Sequence, residues 1–267
     1  MTAPVPPRNR AAASADASAV ANAGARKNVV AMSWTHFLAW FKDEWEPGKH
    51  IALIGPTGEG KTTFAVGCLS LRKWVLALDP KGLDDTLTAS GYRRITTWPL
   101  ERTREGRQIR EDIAAGKPAR LIVGGAARTR EDMHALAELM RDAIEGVRAE
   151  GGWTIYADEF QILADRRMFG VDKEIEALLI AARTRGTSVL TAFQAPSWVP
   201  KAGTRQASFT VIWGTRDRDM LKTVASAMGR PWRDLEAMVD ELPEFHVLVI
   251  PKRIRDPLVL THAPRVA

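Results

Sequence analysis

The sequence predicts an α/β fold: a mostly parallel central sheet flanked by helices, with a β-hairpin at the C-terminal end. Three observations carry this. Apolar runs of strand length alternate with segments of helical period along most of the chain. Those runs are apolar at consecutive positions, which suits strands covered by helices on both faces. The 267 residues are 45% hydrophobic and 26% charged, enough apolar material for one large core or two small ones.

Taken in order, residues 1–28 are rich in Ala, Pro and Ser, with Arg8, Arg10, Arg26 and Lys27 against Asp16. Such a segment buries little and reads as a disordered, slightly basic arm ahead of a domain over 29–267. Ser33 caps a short helix carrying Trp34, Phe37, Leu38, Phe41 and Trp45, which Pro47 and Gly48 stop. Strands are predicted at 50–54, 74–78, 120–124, 153–157, 187–192 and 209–213. Between them, Thr129 caps a helix over 130–149, whose Met133, Leu136, Ala137, Met140, Ile144 and Val147 form one face before Gly151 and Gly152 end it. A second helix spans 171–185, stopped by Gly186, and a third spans 217–228, ended by Gly229. Pro231 starts a fourth that runs to about Leu242. The runs 246–250 and 257–261, joined by 251–256, are the predicted hairpin.

Composition excludes several classes. Cys68 is the single cysteine, so neither an internal disulfide nor a Cys-based zinc site can form, which suits a reducing cytoplasm. No window approaches 18 consecutive apolar residues and the N-terminus lacks an apolar signal core, so neither membrane insertion nor secretion is expected. Lys and Arg number 38 against 32 Asp and Glu, a formal charge of +6 that permits a nucleic-acid partner without specifying one. The three asparagines, Asn9, Asn22 and Asn28, leave no guanine-reading Asn-Lys-x-Asp motif beyond residue 28. The histidines at 36, 50, 134, 246 and 262 show no ligand spacing, and no structural metal is predicted.

The strongest chemical signal is Gly55-Pro56-Thr57-Gly58-Glu59-Gly60-Lys61-Thr62, with Thr63 next in line. It fits G-x-x-x-x-G-K-[ST], the Walker A phosphate-binding loop, and it follows the strand at 50–54 and precedes a helix through Phe64, Ala65, Cys68 and Leu69. Its glycines let backbone N–H groups turn inward around phosphate oxygens. Lys61 is expected on the β- and γ-phosphates of a nucleotide and Thr62 on Mg²⁺. The strand at 153–157 ends in Asp158-Glu159, a Walker B pattern in which Asp158 holds Mg²⁺ through water and Glu159 is the general base. Gln194, at the tip of the strand 187–192, is placed to sense the γ-phosphate or orient the water. Arg183 and Arg185, at the end of the preceding helix, have two readings: one of them is a finger for a neighbouring subunit's ATP, or they complement a helix dipole.

A further element, Leu78-Asp79-Pro80-Lys81-Gly82, follows the second strand. The order of phosphate loop, Asp-Pro-Lys-Gly, Asp-Glu and Ala-Arg-Thr-Arg-Gly leading to Gln194-Ala195-Pro196 resembles the FtsK–HerA superfamily of DNA-pumping ATPases, over about residues 50–215. One departure is Phe193-Gln194 where that superfamily usually has Thr-Gln. The resemblance implies a RecA-like P-loop NTPase that hydrolyses ATP with Mg²⁺, assembles with itself as a pentameric or hexameric ring, and moves double-stranded DNA. A chain of 267 residues has no room for the membrane spans, winged helix, barrel or nuclease of larger relatives, and so resembles the small ATPases that fill viral capsids. A capsid portal or transfer-pore protein is then an expected partner, and the host cytoplasm the expected location. Transfer of plasmid DNA in conjugation is the alternative within the superfamily. A P-loop kinase or nucleotide switch without DNA is the alternative outside it, against which Glu159, Gln194 and the two arginines argue. Candidate DNA contacts are Arg166 and Arg167 after the Walker B strand, and Arg128 and Arg130 after the strand at 120–124. Arg102, Arg104, Arg107 and Arg110 interleave with Glu101 and Glu105 and predict a solvated helix.

Overall fold

The structure, a computed structural model, describes residues 28–82, 85–194 and 201–264, with the side chains of residues 182, 183, 201 and 202 left aside. Residues 1–27 of the expected arm, and Ala195 and Pro196, lie outside the described residues.

Ten strands form one sheet: β1 (Val29–Ala31), β2 (Ile51–Ile54), β3 (Trp74–Asp79), β4 (Arg93–Ile95), β5 (Ala119–Gly124), β6 (Thr154–Ala157), β7 (Ser188–Phe193), β8 (Phe209–Trp213), β9 (His246–Pro251) and β10 (Leu258–His262). Their order is β1-β10-β9-β8-β2-β7-β6-β3-β5-β4. Every pair from β8 to β4 is parallel, β9 is antiparallel to both its neighbours, and β1 is parallel to β10. Hence β9 alone runs against the rest.

Side chains explain the parallel core. Ile51 and Leu53 of β2 join a buried cluster with Phe37, Phe41 and Trp45 from the region of α1 (Trp34–Glu44) and with Phe64, Ala65 and Cys68 of α2 (Lys61–Leu69). Ala52 and Ile54 point the other way, into a cluster shared with α5 (Arg130–Glu150), α7 (Asp172–Ala181), α9 (Arg218–Met228) and α10 (Trp232–Val239). Both faces are buried, so successive residues are apolar and no alternation survives. The remaining helices are α3 (Asp85–Ala89), α4 (Arg104–Ala114), α6 (Phe160–Ala164) and α8 (Lys201–Arg205).

The local signals behave as the residues dictate. Thr129 and Asp132 form a reciprocal capping box on α5, with Asp132 N donating to Thr129 Oγ1 at 3.0 Å and Thr129 N to Asp132 Oδ2 at 2.9 Å. The helix predicted over 171–185 is α-helical over Asp172–Ala181 and tightens into a 3₁₀ turn at Ala182–Arg185. Around residues 102–110 a helix forms, but Arg110 is not one of its solvated positions. Its guanidinium pairs with Glu101 at 2.9 Å and with Glu150, and lies 5.3 Å from the centre of the Trp98 ring. Strands β1 and β4 join the eight predicted ones. Among the described residues, no helix is long and apolar enough to cross a membrane.

Candidate functional site

Parallel strands deliver their C-terminal ends to one edge of the sheet, where following loops gather. There β2 runs into Gly55, whose N–H donates to the Phe193 carbonyl of β7 at 3.3 Å. Gly60 takes φ +84° and leads α2 with no side-chain cap, leaving first-turn N–H groups to the loop. Lys61 folds over that loop, its Nζ donating to the carbonyls of Gly55 at 2.8 Å and Pro56 at 2.6 Å. Burial lowers its pKa from the ordinary 10.5, and the carboxylates of Glu159, Asp158 and Glu59 act against that shift.

Two strands away, β6 ends at Ala157, and Asp158 N donates to the Leu78 carbonyl at 3.3 Å while Asp158 Oδ1 accepts from Tyr156 Oη at 2.9 Å. Glu159 then adopts φ +47°, a left-handed conformation that costs a non-glycine residue about 1–3 kcal/mol and recurs at functional sites. Its carboxylate is the hub of the edge. Lys81 Nζ reaches Oε1 at 2.8 Å, Gln194 Nε2 reaches Oε2 at 3.4 Å, and Gln161 Nε2 also donates to Oε2. Strand β7 lies between β2 and β6, which brings Gln194 between the phosphate loop and Glu159.

Lys81 is aimed by its own turn. Buried Asp79 accepts from Gly82 N at 2.9 Å and lies 3.5 Å from the Arg94 guanidinium of β4. Gly82 has φ +70°, and a Cβ there would sit 2.2 Å from the Gly125 carbonyl carbon, so only glycine closes this turn. The sequence marks Asp79-Pro80-Lys81-Gly82 as a motif, but a separation of 78 positions between Lys81 and Glu159 hides their pairing. Nor does the sequence single out Gln161 or Arg94. Gln161 carries one local cue, its place two residues after Glu159.

Loops leaving the same edge carry the candidate DNA arginines. Arg128, between β5 and α5, and Arg130, the first residue of α5, are exposed. Arg166, Arg167 and Met168 are exposed at the tip of a loop held at its base. Asp165 Oδ1 accepts from Arg167 N at 2.8 Å, the Asp165 carbonyl accepts from Met168, Phe169 and Gly170 N–H groups, and Arg141 donates to the Phe169 carbonyl at 2.9 Å. Phe169 and Val171 are buried beneath, and Arg166 lies 3.8 Å from the Asp172 carboxylate.

Arg185 is elsewhere. It precedes β7, at the opposite edge from Gln194, with the six residues of β7, roughly 20 Å of strand, between them. Its guanidinium donates to the Ala149 carbonyl at 2.6 Å, in the last turn of α5, and its carbonyl accepts from Gly152 N at 2.9 Å. Arg183 shares the 3₁₀ turn, and its side chain is outside those described.

A nucleotide-type loop, an acidic strand end and an amide-tipped strand between them define the class: the fold is that of a P-loop ATPase. No protein-family model matches the chain, and no curated protein matches its sequence. Solved structures match its fold. The genome packaging NTPase B204 of Sulfolobus turreted icosahedral virus 2, solved with ATPγS, is 16% identical over 82% of this chain and 99% of that one, with a TM-score of 0.56. VirB4 of Thermoanaerobacter pseudethanolicus is 11% identical over 81% of this chain and 89% of that one, with a TM-score of 0.55. These neighbours are FtsK–HerA superfamily P-loop ATPases, the superfamily whose motif order the sequence resembles, and at such identities the likeness is one of fold.

Proposed function

We propose that this chain is an ATP-hydrolysing motor that moves double-stranded DNA, and that its task is packaging a viral genome. The observation that carries the reading is the convergence of Lys61, Glu159 and Gln194 at one sheet edge. Lys61 offsets phosphate charge. Gln194 orients the attacking water. Glu159 takes a proton from that water as its oxygen bonds to the γ-phosphorus and the bond to the β–γ bridging oxygen breaks, releasing ADP and phosphate.

The residues fit Mg²⁺. Thr62 in the first turn of α2 and Asp158 beside Glu159 offer hard oxygen donors, and among the described residues no three His, Cys, Asp or Glu side chains gather into a protein cage. Mg²⁺ typically takes one or two carboxylates plus substrate phosphates. Bound there with ATP, it neutralises charge developing on the phosphates.

DNA contact is assigned to the loops bearing Arg166, Arg167, Arg128 and Arg130. A self-assembled ring of five or six subunits brings Arg183 or Arg185 of one subunit to the nucleotide of the next. Residues 29–267 form the motor, with 1–28 as its basic arm, working in the host cytoplasm against a capsid portal. Packaging is favoured over plasmid transfer because the fold match takes in the whole of B204, described as a DNA-packaging ATPase, with 83% of this chain. The test is ATP turnover with and without double-stranded DNA. A rise with DNA, lost in Lys61→Ala, supports the motor; turnover indifferent to DNA leaves a nucleotide switch instead.

A further inference from the structure

The phosphate end of a nucleotide bound at the site proposed above has its partners in the loop, and its base end rests on that same site. Glu159 and Gln194 lie on the β7–β6 side of β2, so the γ-phosphate points that way. An extended triphosphate lying along the loop then carries its nucleoside toward the opposite side of β2, where β8 and β9 follow. Because β9 is the reversed strand, its beginning rather than its end reaches this edge. The residue just before it is Phe245.

Two features single out Phe245. It has φ +63°, a conformation in which a bulky residue is an outlier and which glycine would adopt without cost. Its ring also lies beside the phosphate loop, with Cδ1 4.0 Å from the position a Cβ on Gly60 would occupy. The turn that presents it is closed by His246 N donating to the Pro243 carbonyl at 3.0 Å. Two residues on, the register pairs Val247 with Trp213, and Trp213 meets Phe64 of α2 edge-on at 5.6 Å, so the start of β9 is tied to the helix that follows the loop. Phe245 itself is half-buried.

We infer that Phe245 is the stacking platform for the base of the bound nucleotide, an inference that rests on the nucleotide site proposed above. Stacking is indifferent to base identity, because every base has a π-face. The site therefore accepts nucleoside triphosphates broadly, and Phe245 contributes to affinity through the base alone.

The experiment titrates the full chain, in Mg²⁺, with ATPγS and with inorganic tripolyphosphate, which has phosphates but no base. Phe245→Leu is expected to weaken ATPγS roughly tenfold and to leave tripolyphosphate unchanged. Phe245→Trp, which restores a ring, is expected to keep ATPγS affinity. Equal loss of both ligands in Phe245→Leu, with the Trp variant impaired as well, would show that the ring only supports the loop and overturn the inference. Unchanged ATPγS affinity in Phe245→Leu would overturn it too. A wild-type chain that binds neither ligand sinks the nucleotide site itself, a result distinct from loss of base stacking.

Discussion

The two edges of the sheet use their polar residues differently. At the edge where strands begin, many side chains close on backbone, beside ion pairs of Lys49 with Glu46, Lys117 with Asp112 and Arg110 with Glu150. His50 Nδ1 accepts from Val189 N at 3.0 Å, Ser188 Oγ from Gly48 N at 3.1 Å, and Arg185 donates to the Ala149 carbonyl at 2.6 Å. At the edge where strands end, charged side chains meet one another: Lys81 with Glu159, Arg94 with Asp79, and Lys61 within the field of Glu159, Asp158 and Glu59. A polar group satisfied by backbone is fixed by the fold. A charge satisfied by another charge can exchange that partner for a ligand. The second edge alone joins such exchangeable charges to the loop that holds Lys61, so chemistry is expected there, and Arg185 at the first is the residue that tests the division.

The largest effect comes from breaking it. An arginine finger contributes about 10³–10⁵ in rate. If a ring lays the strand-beginning edge of one subunit against the site of the next, Arg183→Ala or Arg185→Ala drops turnover by that order. Mixing the inactive arginine variant with Glu159→Gln then restores part of it, because some interfaces join an intact base to an intact finger. Full activity in both arginine variants keeps the division strict and removes the trans finger.

Next in size is Glu159→Gln, expected to bind ATP normally and lose about 10²–10⁴ in turnover, since the amide cannot accept a proton from water. A drop in ATP affinity with hydrolysis per bound ATP unchanged contradicts the base role. Lys81→Ala sharpens the picture of exchangeable charge. A hydrogen bond to a charged group is worth about 1.5–3 kcal/mol, so misplacing Glu159 is expected to lower turnover at least about tenfold with ATP affinity intact. Turnover equal to wild type makes Lys81 a bystander. The smallest effect is at the loop tip. Replacing both Arg166 and Arg167 with alanine is expected to weaken DNA binding without touching basal turnover. The salt dependence should also flatten, by about 0.9 for each phosphate no longer neutralised. An unchanged salt slope moves DNA contact to another loop.

Legibility in the sequence followed locality. The phosphate loop, the Asp158-Glu159 strand end and Gln194 are contiguous signals, and the eight longer strands announce themselves by apolar runs. Strand β4 stayed hidden because it is three residues long, with Arg93 and Arg94 exposed and Ile95 its only buried side chain. Strand β1, also three residues, adjoins the Ala-rich arm and lacks the length for a period. Hidden too were all pairings across distance: Lys81 with Glu159, Arg94 with Asp79, Arg110 with Glu150. Spacing along a chain says nothing about which strands become neighbours, and the order β6-β3-β5-β4 creates these meetings.

The position of β2 also governs when the protein can exist. Among the described residues its sheet partners are β7, beginning at Ser188, and β8, beginning at Phe209. While the chain is being synthesised, the strand that presents the phosphate loop has no ladder to join until those late segments emerge. Long-range parallel pairing of this kind is slow and leaves apolar strands uncovered meanwhile. A chain released before Ser188 can pair β3, β4, β5 and β6 but carries the loop sequence on a strand with no neighbour, so the edge that gathers the candidate site closes late in synthesis.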